Sequence, residues 1–340
     1  MKKIFIVTVS ILTLLGCKKE QIETANPDTI EGIELTILQP DKHYNLRAIH
    51  FIDNQTGFAS SYDGKIIKTT DAGSTWDELE TNTTVPLYGI DFINSTIGFV
   101  VGGKSSCGGN GCIPIGAVIL KTTDGGETWK KVTLNLNDKI ELKSVQFINN
   151  LVGFAVGHSS ILKTIDGGDT WEQTKINNLN GTMQKVAFNS TMNGVIICIG
   201  GQIVSTTDKG ITWNTASTIS TIGSVSISIT EDDIIYVSDN SKIQKSSDFG
   251  VSWTLLNSTS DNFDINFISQ NIGFAVGRGN YSGGDFGYHY GAIFYTIDGR
   301  ENWIENKNIK ETGSLYESSF PTKNQGYIVS SNNIIKVKIE

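Results

Sequence analysis

The chain has 340 residues with 27 Lys and Arg against 35 Asp and Glu, a formal charge of −8, and it carries 36 Gly, 5 Pro, 4 Cys and 6 Trp. Hydrophobic residues make up 38%, enough for a large core, so wholesale disorder is excluded. Arg47, Arg278 and Arg300 are the three arginines, and an acidic chain without clustered cations is a poor nucleic-acid binder. The first predicted element is a leader: Met1-Lys2-Lys3 followed by an apolar run from Ile4 to Leu15. The run is too short for a bilayer core of about 30 Å, which takes roughly 20 residues, and suits a signal peptide. No later stretch approaches transmembrane length, so the rest is expected to be a soluble body.

The leader ends Leu14-Leu15-Gly16-Cys17, which resembles a bacterial lipobox. The resemblance implies cleavage before Cys17 and acylation of its thiol and new amine. Several acyl chains hold a membrane far more firmly than one, since each buried CH₂ contributes about 0.8 kcal/mol. Residues 1–16 therefore read as a lipoprotein signal peptide, 17–30 as a lipidated tether and 31–340 as the folded body. The protein is expected to be exported and lipid-anchored to the bacterial cell envelope, at the outer membrane, as a monomer.

The body opens with Ile33-Glu34-Leu35-Thr36-Ile37-Leu38, a strand pattern with no hairpin partner beside it. A phrase then recurs. Lys68-Thr69-Thr70-Asp71-Ala72-Gly73-Ser74-Thr75-Trp76 returns as Lys121 to Trp129, and again as Asp166…Trp171, Asp208…Trp213, Asp248…Trp253 and Asp298…Trp303. Successive Asp are 53, 42, 42, 40 and 50 residues apart, and all six Trp close one of these phrases. Ahead of them lie Gly-aromatic-small-Val-Gly stretches such as Gly98 to Gly102, Gly153 to Gly157 and Gly273 to Gly277. Short alternating runs come before those, ending in an aromatic: Ile49-His50-Phe51, Ile90-Asp91-Phe92, Val145-Gln146-Phe147, Val186-Ala187-Phe188 and Ile265-Asn266-Phe267. Period-two alternation bounded by Gly, Asn and Asp predicts strands. No helical periodicity stands out beyond the leader.

Each repeat thus reads as four strands, A to D, and a 40–50-residue period of four strands is that of a propeller blade. Six phrases make six blades. The tail supplies A (Leu315 to Phe320), B (Gly326 to Ser330) and C (Ile334 to Ile339) of a seventh, and Ile33 to Leu38 can complete it as D. The fold class expected is all-β, a seven-bladed β-propeller of four-stranded antiparallel blades closed by its N-terminal strand, which removes two exposed sheet edges.

The phrase resembles the Asp-box or BNR repeat, and the longer pattern, with Gly-Phe-x-Val-Gly and Ile-x-Lys-Thr, resembles the photosystem II stability/assembly factor-like propellers over about residues 31–340. Blade 5 (Ser247 to Trp253) and blade 6 (Gly299-Arg300-Glu301-Asn302) depart from the pattern. The resemblance implies a non-catalytic scaffold that meets a protein partner through a propeller face. Asp boxes also occur in sialidases and xyloglucan hydrolases, so a glycan-binding or glycoside-hydrolase-like propeller is the alternative. A sialidase needs three Arg around a carboxylate, and here Arg300 is in a box turn and Arg278 in an insertion. Hydrolysis needs a carboxylate pair about 5–10 Å apart, for which Asp91, Asp264 and Glu317 on A strands are candidates, although ordinary polar strand positions explain them equally.

The box residues Asp71, Trp76, Asp124, Trp129, Asp166, Trp171, Asp208, Trp213, Asp248, Trp253, Asp298 and Trp303 read as structural. Such an Asp accepts backbone N–H bonds in its own turn, and the Trp packs between sheets. One carboxylate per box is not a calcium ligand series. Two insertions, 103–114 in blade 2 and 278–290 in blade 6, fall between strands B and C, on one face, where binding groups concentrate. The second offers Tyr281, Phe286, Tyr288, His289 and Tyr290. Four positions before the A-strand aromatic stand Arg47, Tyr88, Lys143, Gln184, Gly223, Phe263 and Tyr316, expected to ring the channel mouth on that face. Aromatic residues and Arg are the usual binding hot spots. Cys107 and Cys112 are expected to form a local disulfide in an exported protein, zinc being the weaker reading of that spacing. Cys198 reads as a buried thiol. His43, His50, His158 and His289 form no metal or triad spacing, and no cofactor or metal is expected.

Overall fold

A computed structural model describes residues 32–108, 111–136, 139–176, 179, 181–221, 223, 225–258, 262–282, 288–298, 302–306 and 313–340. The leader, Cys17 and the tether lie outside the described residues. Strand β1 (Ile33–Leu38) comes first. Blade 1 is β2 (Leu46–Phe51), β3 (Gly57–Ser61), β4 (Ile66–Thr69) and β5 (Asp77–Leu79). Blade 2 is β6 (Leu87–Phe92), β7 (Gly98–Gly108), β8 (Gly111–Thr122) and β9 (Lys130–Lys131). Blade 3 is β10 (Ser144–Phe147), β11 (Gly153–Gly157), β12 (Ser160–Thr164) and β13 (Glu172–Lys175). Blade 4 is β14 (Met183–Phe188), β15 (Gly194–Cys198), β16 (Gln202–Thr206) and β17 (Asn214–Thr218). Blade 5 is β18 (Val225–Ile229), β19 (Ile235–Asp239), β20 (Lys242–Ser246) and β21 (Thr254–Ser258). Blade 6 is β22 (Asn262–Phe267), β23 (Gly273–Ser282), β24 (Tyr288–Thr296) and β25 (Ile304–Asn306). Blade 7 holds β26 (Leu315–Thr322), β27 (Gln325–Ser330) and β28 (Ile334–Ile339).

These form seven four-stranded sheets, and β1 lies on β28 as the outermost strand of blade 7. The expected seven-bladed propeller is the fold found. The pairing runs from Ile33 opposite Ile339 to Leu38 opposite Ile334, antiparallel. The seven apolar clusters gather residues of adjoining blades, and Ile33 and Leu35 join the cluster that includes Phe274 and Ile335.

The repeat places aromatics at the blade junctions. Phe58 of blade 1 stacks on Phe92 of blade 2 at 4.3 Å, and Trp129 of the blade 2 box meets both edge-on at 6.4 and 6.0 Å. Phe99, Phe147 and Trp171 repeat this one blade on, as do Phe154, Phe188 and Trp213. Glycine is required where these rings touch backbone: a Cβ on Gly98 would lie 2.4 Å from the Phe92 ring, and one on Gly126 would lie 2.3 Å from Phe58. Blade 5 solves the same junction with Ile229 opposite Ile235 in place of Phe opposite Gly.

Each box closes on itself. The Asp124 carboxylate accepts from the Thr122 hydroxyl (2.8 Å), the Thr128 N–H (2.9 Å) and the Thr128 hydroxyl (2.6 Å), while Thr122 Oγ1 accepts from the Gly126 N–H at 2.9 Å. Asp71, Asp166, Asp208 and Asp248 repeat the pattern, and Asp298 accepts from Thr296 and Asn302. The hydroxyl and N–H donors hold the carboxyls of Asp124, Asp166, Asp208 and Asp248 down at about 2. Trp76 and Trp253 donate to the carbonyls of Gly73 and Gly250, both at 3.1 Å. The lysine of Lys-Thr, to which sequence reasoning gave no role, clamps blades: Lys68 donates to Gly125 O and Glu127, and Lys121 donates to Gly167 O and Asp169.

Candidate binding site at the channel mouth

The innermost strand of a blade has one ladder edge without a partner strand, so its inward N–H groups need acceptors. Side chains of the preceding blade provide them. The Ile49 and Phe51 N–H groups donate to Glu317 (3.2 Å) and Ser319 (2.9 Å), Phe147 to Asp91 (2.7 Å), and Phe188 to Gln146 (2.8 Å). Ser318 N–H donates to Asp264 at 3.0 Å. Polar residues three and one positions before the lower-end aromatic thus line the channel and stitch blade to blade. Asp91, Asp264 and Glu317, the carboxylates singled out above, belong to this set.

Higher up, a repeated β-bulge changes the direction of one side chain in each of five blades. The register slips between Leu46 and Ala48, Leu87 and Gly89, Met183 and Lys185, Asn262 and Asp264, and Leu315 and Glu317. The extra residues are Arg47, Tyr88, Gln184, Phe263 and Tyr316. A bulge leaves one residue out of the ladder and re-aims it, here onto the rim. Lys143 takes the same place just before β10. In blade 5 there is no bulge and Val225, not Gly223, occupies the position: Ile229 replaces the aromatic, so counting back from Ile227 misplaced the register by two residues. Arg47, Tyr88, Lys143, Gln184, Val225, Phe263 and Tyr316 together line one mouth of about 290 Å³, as expected of six of them.

Cations and rings alternate around this rim. The Lys143 ammonium lies 3.7 Å from the centre of the Tyr88 ring, Tyr88 meets Tyr62 edge-on at 6.1 Å, and the Arg47 guanidinium lies over Tyr62 (5.4 Å) and Tyr316 (4.3 Å). Tyr316 stacks on Phe263 at 5.9 Å, and Arg278 follows at 6.0 Å. Desolvation by burial pushes the Tyr88 phenol well above its ordinary range, with the Glu141 carboxylate adding to it.

The floor of the mouth is a partly buried charge cluster drawn from blades 4, 6 and 7, in which Asp264 is the buried member. Lys185 bonds Asp264 and lies 3.7 Å from Glu317. Asp264 also accepts from the hydroxyls of Ser226 (2.9 Å) and Ser318 (2.8 Å). Burial pushes Glu317 up to about 7, the Lys185 charge opposing it. Burial alone would lower Lys185, but the two carboxylates overcome that and hold it above its usual range. Deeper in the channel, burial raises Asp91 to about 7 and lowers His50 to about 4, so the 3.7 Å contact between them is not an ion pair near neutral pH. Among the described residues no group of three or more His, Cys, Asp or Glu could hold a metal ion.

The blade 6 arm pairs Tyr281 with His289 and Ser282 with Tyr288; the side chains of Tyr281, Tyr288 and His289, and Phe286 as a whole, lie outside what is described. Tyr290 is half-buried and approaches Gly279, where a Cβ would lie 2.2 Å from its ring. Cys107 and Cys112 are register partners across the blade 2 arm, their side chains likewise outside the description. Cys198 is a free, buried thiol pushed up to about 12 by burial.

Residues 112–244 match the family model described as photosynthesis system II assembly factor YCF48. No curated protein matches the chain. Among solved structures, one of YCF48 bound to D1 peptide is 17% identical, with a TM-score of 0.69 over 90% of this chain and 97% of that one. YCF48 from Cyanidioschyzon merolae is 18% identical, with a TM-score of 0.68 over 89% of this chain and 98% of that one. An inactive virginiamycin B lyase from Staphylococcus aureus is 13% identical, with a TM-score of 0.66 over 91% of this chain and all of that one; this likeness is one of fold.

Proposed function

From the premise that the chain is a BNR-type propeller of the photosystem II assembly factor-like family, we propose that it is a membrane-anchored, non-catalytic scaffold. It binds a protein partner through the face carrying the D–A and B–C loops. The observation that carries this reading is the rim itself: five bulges and Lys143 place cations and aromatic faces around one mouth. Large aromatic rings and Arg are the side chains that most often anchor protein contacts. A YCF48 structure holds a D1 peptide, which supports a protein ligand for a propeller of this type.

The channel carboxylates fit a structural role better than a hydrolytic one. Asp264 is taken up by Lys185, Ser226 and Ser318, and Glu317 by Lys185 and the Ile49 N–H. A general acid and base need lone pairs or a proton free to meet substrate. The anchor rests on the lipobox at Cys17, with the outer membrane as its site. The test is capture of partners by the full chain in detergent from its own envelope fraction, compared with Arg47→Ala and Tyr316→Ala. A single envelope protein lost in both variants supports the scaffold. Glycoside turnover abolished by Asp264→Asn or Glu317→Gln overturns it. Labelling with a radioactive fatty acid, present in the parent and absent in Cys17→Ser, checks the anchor.

A further inference from the structure

Four large apolar side chains stand out of the box face of blades 3, 4 and 5. Leu151 is 58% exposed, Ile165 68%, and Ile211 and Val251 74% each. Leu151 sits in the A–B turn of blade 3 and the others in the boxes, turns that are described throughout. The fold does not ask for them. Gln55, Thr96 and Leu151 use the same carbonyl, which accepts from Ala72, Gly125 and Gly167 at 2.9 Å in each case, yet only the third is apolar. Ser74 and Glu127 hold in blades 1 and 2 the place of Ile211 and Val251, and the boxes close on their Asp alike. Exposed apolar residues scattered singly are ordinary. These occupy turns on one face of three consecutive blades.

We propose that this part of the box face rests on the phospholipid surface to which the chain is anchored, with the mouth facing away from it; the inference rests on the lipid anchor at Cys17 proposed above. The point of entry of the chain is what selects a bilayer as the occupant. β1 begins opposite Ile339, and Gly32 O accepts from the Glu340 N–H at 3.0 Å, so residue 32 lies at the box face of blade 7. The 15 residues from Cys17 to Glu31 reach about 50 Å at most when extended. A tether of that length holds the box face near the head groups, where weak apolar contacts act at high effective concentration. In a ring of seven, blades 3 and 4 lie three steps from blade 7 on either side. Anchor and apolar turns therefore support opposite edges of one face, and two supports fix its tilt where one would not.

Charge narrows the kind of surface. In the turns of blades 3 to 5, Lys209 is outnumbered by carboxylates. Those of blade 5 are drawn into their own turns: Glu231 accepts from the Ser190 N–H at 3.1 Å, Asp232 from the Thr230 hydroxyl at 2.6 Å, and Asp233 from Asn189 (2.7 Å) and Asn193 (2.9 Å). The most prominent points are thus apolar and the ground between them acidic. Apolar side chains enter the head-group boundary by leaving water, while acidic ground repels an anionic bilayer. A phospholipid layer of no net charge fits both.

The test uses the full lipidated chain on vesicles of phosphatidylethanolamine and phosphatidylcholine. A polarity-sensitive fluorophore is placed through Ile211→Cys on the box face or Ile199→Cys in the B–C turn of blade 4, with the parent chain, whose Cys198 is buried, as the blank. The expected result is about fivefold stronger quenching at position 211 than at 199 by a phospholipid spin-labelled near its head group. Adding Ile165→Asp and Val251→Asp, with the melting temperature unchanged, should cut the quenching at 211 about threefold. Replacing about a third of the lipid by phosphatidylglycerol should weaken it as well. Equal quenching at both positions, or none at 211, in a chain that carries its fatty acid overturns the resting face and leaves the anchor standing. A parent chain without fatty acid overturns the anchor and this orientation with it. A blue-shifted fluorophore at 211 that the spin label does not quench marks a protein on this face and overturns the lipid surface as occupant. Quenching that grows with phosphatidylglycerol overturns the uncharged surface.

Discussion

Glycine and hydroxyl residues carry much of the architecture one contact at a time. Gly98 lies against the Phe92 ring where a Cβ would come within 2.4 Å, so Gly98→Ala is expected to destabilise the propeller by about 1–3 kcal/mol, read by urea unfolding. Cys198, buried and with its thiol pushed up to about 12, is expected to resist a maleimide in the native protein and react on unfolding. The boxes set a pH dependence. Folding lowers the carboxyls of Asp124, Asp166, Asp208 and Asp248 to about 2, below the unfolded value near 4. Their contribution is complete above about pH 4 and is lost as pH falls through about 2. Melting temperature should therefore fall across that window, and less steeply in Asp124→Asn. The Asp and Trp of each box were legible in the sequence because their partners lie within a few residues, so the local pattern repeats whole.

At the scale of elements, the shared device is the bulged inner strand. No residue type marks it: Arg47, Tyr88, Gln184, Phe263 and Tyr316 have only their position in common. Counting back from an aromatic found the position in six blades. It failed in blade 5, where Ile229 replaces the aromatic. The floor cluster was harder to read, because Lys185 and Asp264 are 79 residues apart and meet only when blades 4 and 6 face across the channel. Removing the cation there strands a carboxylate whose side chain is 2% exposed. Lys185→Met is thus expected to destabilise by about 3–5 kcal/mol, while Lys185→Arg, which keeps the charge, is expected to avoid most of that loss. The blade 2 arm offers a second check at this scale. Its register sets Cys107 opposite Cys112, and a thiol count on the denatured, unreduced protein is expected to be lower by two than after reduction.

For the molecule as a whole, closure rests on β1. Ile33 and Leu35 enter one inter-blade cluster and Leu38 the next. Deleting residues through Leu38 leaves β28 as an open edge and should produce a lower melting temperature with concentration-dependent association, seen by light scattering. The closing strand starts opposite Ile339, the end of β28 on the box face, so whatever precedes residue 32 departs from the face opposite the mouth. A tether there turns the mouth away from whatever holds it. It also fixes how tension enters the ring. A pull on residue 32 acts along β1 and against all six β1–β28 pairs at once. The pairs share the load in shear, so the strand resists until all six give way as a unit.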